Sequence, residues 1–106
     1  MRKSMNMGGS VVSRNILEEK GRLKWCFREN SVHEVDNGWR FLSEIDTDEY
    51  LKNVSNSVVC DWGTIFEIEP AIGAIFDMPV GTELTLMYED NKKFFIYTET
   101  GEKLKF

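Results

Sequence analysis

His33 is the only histidine in the chain. It sits in the polar run Glu29 to Asn37, and no Ser or Cys has a sequence context that points to it. A histidine without a nucleophile or a second ligand supports neither a triad nor a multi-histidine metal centre. Cys26 and Cys60 each fall among large apolar residues with strand pattern, where a thiol acts as a small hydrophobe. Their spacing does not suggest zinc, and two cysteines without a secretion signal favour the reduced form. Met7-Gly8-Gly9-Ser10 lacks the Lys-Ser/Thr ending that grips phosphate, so it reads as part of a flexible lead-in covering residues 1–8. Asp46, Asp48 and Glu49 have the oxygen ligands a hard cation prefers, but their spacing is not that of an EF-hand. Capping of a helix N-terminus explains them better. Paired acids for glycoside hydrolysis have no supporting motif. These residues predict no cofactor, no metal and no catalysis; the chain reads as a binding protein.

The elements that must position these groups fit one domain, because 106 residues with 42% hydrophobic content can bury a single core and little more. We place that domain from Gly9 to the C-terminus. Gly9 to Ser13 reads as a short strand, and Asn15 to Lys20 as a helical turn stopped at Gly21. Arg22 to Arg28 alternates, with Leu23, Trp25 and Phe27 on the predicted core face and Lys24, Cys26 and Arg28 opposite. Asn37-Gly38 is expected to turn into the strand Trp39 to Leu42. Thr47 to Val54 reads as a helix capped by Asp46, with Glu49 reaching back. Ser57 to Asp61 is β-branched and is expected to be a buried strand. Thr64 and Glu67 repeat the capping-box spacing before Ile65 to Ile68, and Pro70 suits the first turn of a further helix. Glu83 to Glu89 and Lys93 to Thr98 form a hairpin through Asp90-Asn91-Lys92, and Lys103 to Phe106 a last short strand. The expected class is α+β with a mostly antiparallel sheet.

Charge is unevenly spread over this frame. The net charge of -5 divides into +5 for residues 1–28, -9 for 29–77 and -1 for 78–106. An acidic middle repels nucleic acid and anionic membrane; it either attracts a basic protein or is a solvated face that only keeps the chain soluble, the commoner case for an acidic stretch. No apolar stretch approaches the length of a membrane span, and Arg2 and Lys3 precede no signal-peptide core, so a cytoplasmic location is expected.

Several segments, taken in order, carry a resemblance. They are Val11-Val12-Ser13-Arg14-Asn15-Ile16-Leu17, Trp25-Cys26-Phe27-Arg28-Glu29, Asp36-Asn37-Gly38-Trp39-Arg40-Phe41 and Asp48-Glu49-Tyr50-Leu51. Ile68-Glu69-Pro70 and Pro79-Val80-Gly81-Thr82 follow. Together they resemble immunity protein family number thirty-three of polymorphic toxin systems, first described as a domain of unknown function. The resemblance implies a cytoplasmic antidote that binds a cognate toxin domain and supplies no catalytic residues. Under that implication Glu34, Asp36, Glu44, Asp46, Asp48 and Glu49 steer and cover a basic toxin cleft. Tyr50 or Trp62 would serve as the exposed aromatic anchor. The alternative is a regulatory or scaffolding interaction domain, a homodimer in contact through Tyr88, Phe94, Phe95 and Tyr97. A carboxylate-and-metal hydrolase ranks third.

Overall fold

In the computed structural model, which describes residues 7–105, a six-stranded sheet runs in the order β4-β1-β3-β2-β5-β6. The strands are β1 (Gly9–Ser13), β2 (Leu23–Arg28), β3 (Asp36–Ser43), β4 (Ser57–Asp61), β5 (Glu83–Glu89) and β6 (Lys92–Tyr97). The helices are α1 (Arg14–Leu17), α2 (Asp48–Lys52) and α3 (Trp62–Ile68), with 3-10 turns at Val54–Asn56 and Pro70–Ala74. Only β1 and β3 pair in parallel; every other neighbouring pair is antiparallel. The α+β, mostly antiparallel expectation holds.

The register draws one row of side chains across all six strands: Val58, Val12, Phe41, Cys26, Leu84 and Tyr97. Strand residues alternate between faces, so this row and its like-facing neighbours define the core face. Trp39, Phe41, Leu84, Leu86 and Phe95 lie on it, and Ile16, Trp62, Ile65, Ile72 and Ile75 of the helical segments pack against them. Trp39 and Phe41 are stacked at 6.1 Å, Phe41 meets Trp62 at 5.7 Å, and Trp62 meets Phe76 edge-on at 4.8 Å. The opposite face carries Val59, Val11, Arg40, Phe27 and Glu83 in the next row.

Several local expectations change. The alternation in β2 is broken by a register shift between Leu23 and Trp25, which inserts one residue and turns Leu23 and Cys26 to the same side. Cys26, not Trp25 or Phe27, therefore joins Leu23 in the core. Asn37-Gly38 lies inside β3 rather than before it, as an irregularity facing β1 with Gly38 at φ +87°. α2 is capped by Thr47, whose hydroxyl accepts from the Tyr50 N–H at 3.1 Å, and not by Asp46. α3 starts earlier than expected and is capped by Asp61, not Thr64. β4 is an edge strand rather than a buried one. The hairpin turn is tighter than expected, with Asp90 and Asn91 both at positive φ as a two-residue type I′ turn requires. The end of the chain contributes a single bridge from Lys103 to Ile96. The Met7 carbonyl accepts from the Asn37 amide at 3.0 Å, and the Gly8 carbonyl from the Trp62 N–H at 3.1 Å. The rest of the predicted flexible N-terminus, residues 1–6, lies outside the described residues.

Candidate interaction surface

β3 dictates where the predicted carboxylates go. The irregularity at Asn37-Gly38 sets four residues of β3 against two of β1, so Asp36 to Ser43 advance about five steps of about 3.3 Å and their ends lie about 17 Å apart. Glu34 and Asp36 therefore lie at one end of the sheet, and Glu44, Asp46, Asp48 and Glu49 at the other. The acidic middle of the sequence is two separate regions.

At the first end Asp36 belongs to the scaffold. Its two oxygens accept from Arg40 at 2.8 Å each, and also from the backbone N–H groups of Val32 and Gly38. These bonds, the Arg40 guanidinium foremost, hold its carboxyl well below the usual carboxylate range. Arg40 donates further to Glu29 at 2.7 Å and to its neighbour's carbonyl at Trp39. Arg40 is buried in the open sheet face, so the pair also settles what would otherwise be an uncompensated buried charge. Asn37 accepts from Ser10 and from the Trp39 N–H, zipping β1 to β3. A Cβ at Gly38 would fall 2.3 Å from the Glu29 carbonyl oxygen, so this strand admits only glycine there. The Trp39 indole donates to the Phe76 carbonyl at 3.1 Å. Every residue from Asp36 to Phe41 thus has a structural task, while the preceding loop, with Glu34 and the apolar Val32 and Val35, is exposed.

At the second end Asp46 is likewise consumed. Its carboxylate accepts from the Ser13 hydroxyl, the Asn15 amide, and both the N–H and hydroxyl of Ser43, at 2.7 to 2.9 Å. Burial pushes its pKa up, but these hydrogen bonds outweigh it and hold the carboxyl below its ordinary value. Glu44 is engaged with Arg22 at 3.1 and 3.2 Å, which also lowers its pKa. Asp48 and Glu49 are different. Both are exposed on α2, a helix that buries none of its residues, and neither has an ion pair among the described residues. Tyr50 is half-buried beside them, and Ile45 and Val54, on either side of α2 in the chain, are 49% and 86% exposed. Trp62, expected as an exposed anchor, is 3% exposed and packs between Phe41 and Phe76. It is a core residue.

One polar cluster has no counterpart in the sequence reading. Glu69 is buried, accepts from the Lys93 ammonium at 2.9 and 3.0 Å and caps the following turn through the Ala71 N–H. Tyr88 donates to the Leu23 carbonyl at 2.7 Å, and burial together with the Glu69 charge pushes its phenol up. Arg22 stacks over the Tyr88 ring at 4.1 Å. Glu69, Tyr88 and Arg22 border a cleft of about 340 Å³ together with Glu44 and Ile68. Their separation in the chain hides them; the acidic residue directly before Pro70 is the one signal that could have marked Glu69. Among the described residues no three His, Cys, Asp or Glu side chains are arranged to hold a metal. No helix among them is long and apolar enough to cross a membrane.

A family model described as the immunity protein Imm33 domain matches residues 10–98. The chain belongs to the Imm33 family. The match runs from β1 through β6, so it includes the scaffold around Asp36 and Arg40, the Glu69 cluster and α2 alike. No curated protein and no solved structure matches this chain significantly. The family carries the expectation of a toxin-neutralising role and a protein partner.

Proposed function

We propose that this Imm33 domain is a cytoplasmic, non-catalytic antidote that neutralises a cognate toxin by binding it through the ledge from Ile45 to Val54. The observation that carries the reading is α2: Asp48 and Glu49 are exposed, and without an ion pair among the described residues, on a helix that contributes nothing to the core. A helix this short is not stable on its own, and it is kept here by its Thr47 cap and its place between β3 and β4. Exposed apolar side chains at Ile45 and Val54 next to free carboxylates supply what an interface uses: apolar area to bury and charge to steer a basic partner. Tyr50, rather than Trp62, is the aromatic residue available to such a contact. Asp46 supports the fold behind the surface, Asp36 does so at the far end of β3, and Glu44 sits at the margin held by Arg22.

The test is binding of the toxin domain encoded beside this chain. Reversal of Asp48 and Glu49 to Lys should slow association about tenfold or more at low salt, with a smaller effect at high salt. Val54→Asp should raise the dissociation rate and abolish growth rescue on co-expression. Unchanged rates for both variants would place the interface elsewhere, and Glu34→Lys with Val32→Asp would then examine the loop at the other end of β3.

A further inference from the structure

The two edges of the sheet are finished differently. The β6 edge is covered by the chain itself: the Tyr97 N–H donates to the Glu102 carbonyl at 2.8 Å and the Leu104 N–H to the Phe95 carbonyl at 2.9 Å. It also carries Lys92 and Lys93, charges that discourage pairing with another strand. The β4 edge, SVVCD, has no proline, no lysine and no bulge in its pairing with β1. Among the described residues no strand lies beyond it.

Which backbone groups point outward follows from the register. The Trp62 N–H donates to the Gly8 carbonyl, so that pair is hydrogen-bonded. Antiparallel pairs alternate, which makes Ser10–Cys60 and Val12–Val58 the bonded pairs and leaves Val11–Val59 unbonded. The N–H and C=O of Val59 therefore face away from β1. Its side chain, on the sheet face not covered by helices, is 75% exposed.

We infer that β4 pairs antiparallel with β4 of a second copy about a two-fold axis at Val59, joining the two sheets into one. The strand is complementary to itself in this register. Val59 meets Val59 and exchanges both main-chain bonds with it, Val58 faces Cys60, and Ser57 faces Asp61. The only charged strand residue, Asp61, thus meets a hydroxyl donor and not its own copy. A shift of register by two residues loses part of the overlap of this five-residue strand. The Ser57 N–H is already spent on the Val54 carbonyl, so the joint has about four main-chain bonds, formed by the two Val59 residues and by Asp61 N–H to Ser57 C=O on each side. This is a small, isologous contact, and the dimer should be weak.

The experiment uses the full chain. Sedimentation velocity from about 5 to about 500 μM should show a monomer–dimer equilibrium, since interfaces this small associate weakly. Val59→Pro removes the outward N–H, and Val59→Lys sets like charges across the axis; both should remain monomeric throughout with unchanged circular dichroism. Val59→Cys in a Cys60→Ser background should form a disulfide-linked dimer on mild oxidation, because bonded antiparallel pairs hold their Cα atoms about 5.5 Å apart. Cys60 in the parent chain should not, as it faces Val58. A parent chain that stays monomeric to the highest concentration, or a Val59→Cys variant that does not cross-link, would overturn the proposal. So would an edge variant that is monomeric like its parent but loses toxin binding, which would assign the edge to the toxin.

Discussion

Arg40 and Asp36 form a two-pronged ion pair within one strand, with Nη1 and Nη2 each 2.8 Å from a different carboxylate oxygen. The irregularity at Asn37-Gly38 allows this, because it folds Asp36 back toward a residue four positions on. The pair anchors the β2–β3 loop as well, through the bonds Asp36 accepts from Val32 and Gly38. Asp36→Ala should cost about 3 kcal/mol in urea unfolding, the magnitude expected when a buried cation loses its main partner.

The same pair sets a pH dependence. Asp36 and Asp46 both have folded-state pKa values below their ordinary range. Each unfolded carboxyl binds its proton near pH 3.9, so their contribution is fully present above that pH. It is lost as pH falls toward the folded values. The melting temperature of the parent chain should fall steeply below about pH 4. Asp36→Asn should be less stable at neutral pH and lose less on acidification, which differential scanning calorimetry across pH 2–7 would read.

Two glycines at positive φ should respond very differently to alanine. At Gly38 the new Cβ meets the Glu29 carbonyl oxygen at 2.3 Å, whereas at Gly81 nothing lies within 4 Å. Gly81→Ala should cost only the backbone term, roughly 1–2 kcal/mol. Gly38→Ala adds a backbone clash and should exceed roughly 4 kcal/mol or prevent folding. Equal midpoints in chemical denaturation would contradict the geometry.

Asp46 and its neighbours on α2 should separate in the same way. Asp46→Ala strips Ser13, Asn15 and Ser43 of their shared acceptor and should destabilise by about 2–3 kcal/mol. Asp48→Lys with Glu49→Lys should stay within about 0.5 kcal/mol per site, as exposed substitutions do. Thermal melts of the two variants side by side decide this before any binding is measured.

Burial pushes the Cys26 thiol far up, and it is sealed in the core between Phe41 and Leu84. Cys60 is half-buried, and burial with the nearby Asp61 charge raises it too. A thiol reagent should modify Cys60 slowly in the native protein and Cys26 only after unfolding. Modification of both at one rate without denaturant would refute the burial of Cys26.

Much of the fold was legible along the chain, because its signals are local. A strand was legible over Trp39 to Leu42, and turn chemistry placed the β5–β6 hairpin. Where local signals misled, a non-local demand had intervened. The inserted residue in β2 exchanged Cys26 for Trp25, and the tightly packed Trp62 was claimed by Phe41 and Phe76. Of the four hairpin residues named for a homodimer contact, Phe95 is buried against Leu86 and the core, a demand of packing and not of the local pattern.

Sequence by itself determined the element types, the acidic balance and the family resemblance, all of which depend on residues close together in the chain. Only the tertiary structure decided which carboxylates are free. Asp46 meets Ser13 and Glu69 meets Lys93 across 33 and 24 residues, while Asp36 and Asp46, ten apart in number, stand at opposite ends of one strand. A carboxylate's availability depends on its partners in space, and a strand turns nearness in sequence into distance.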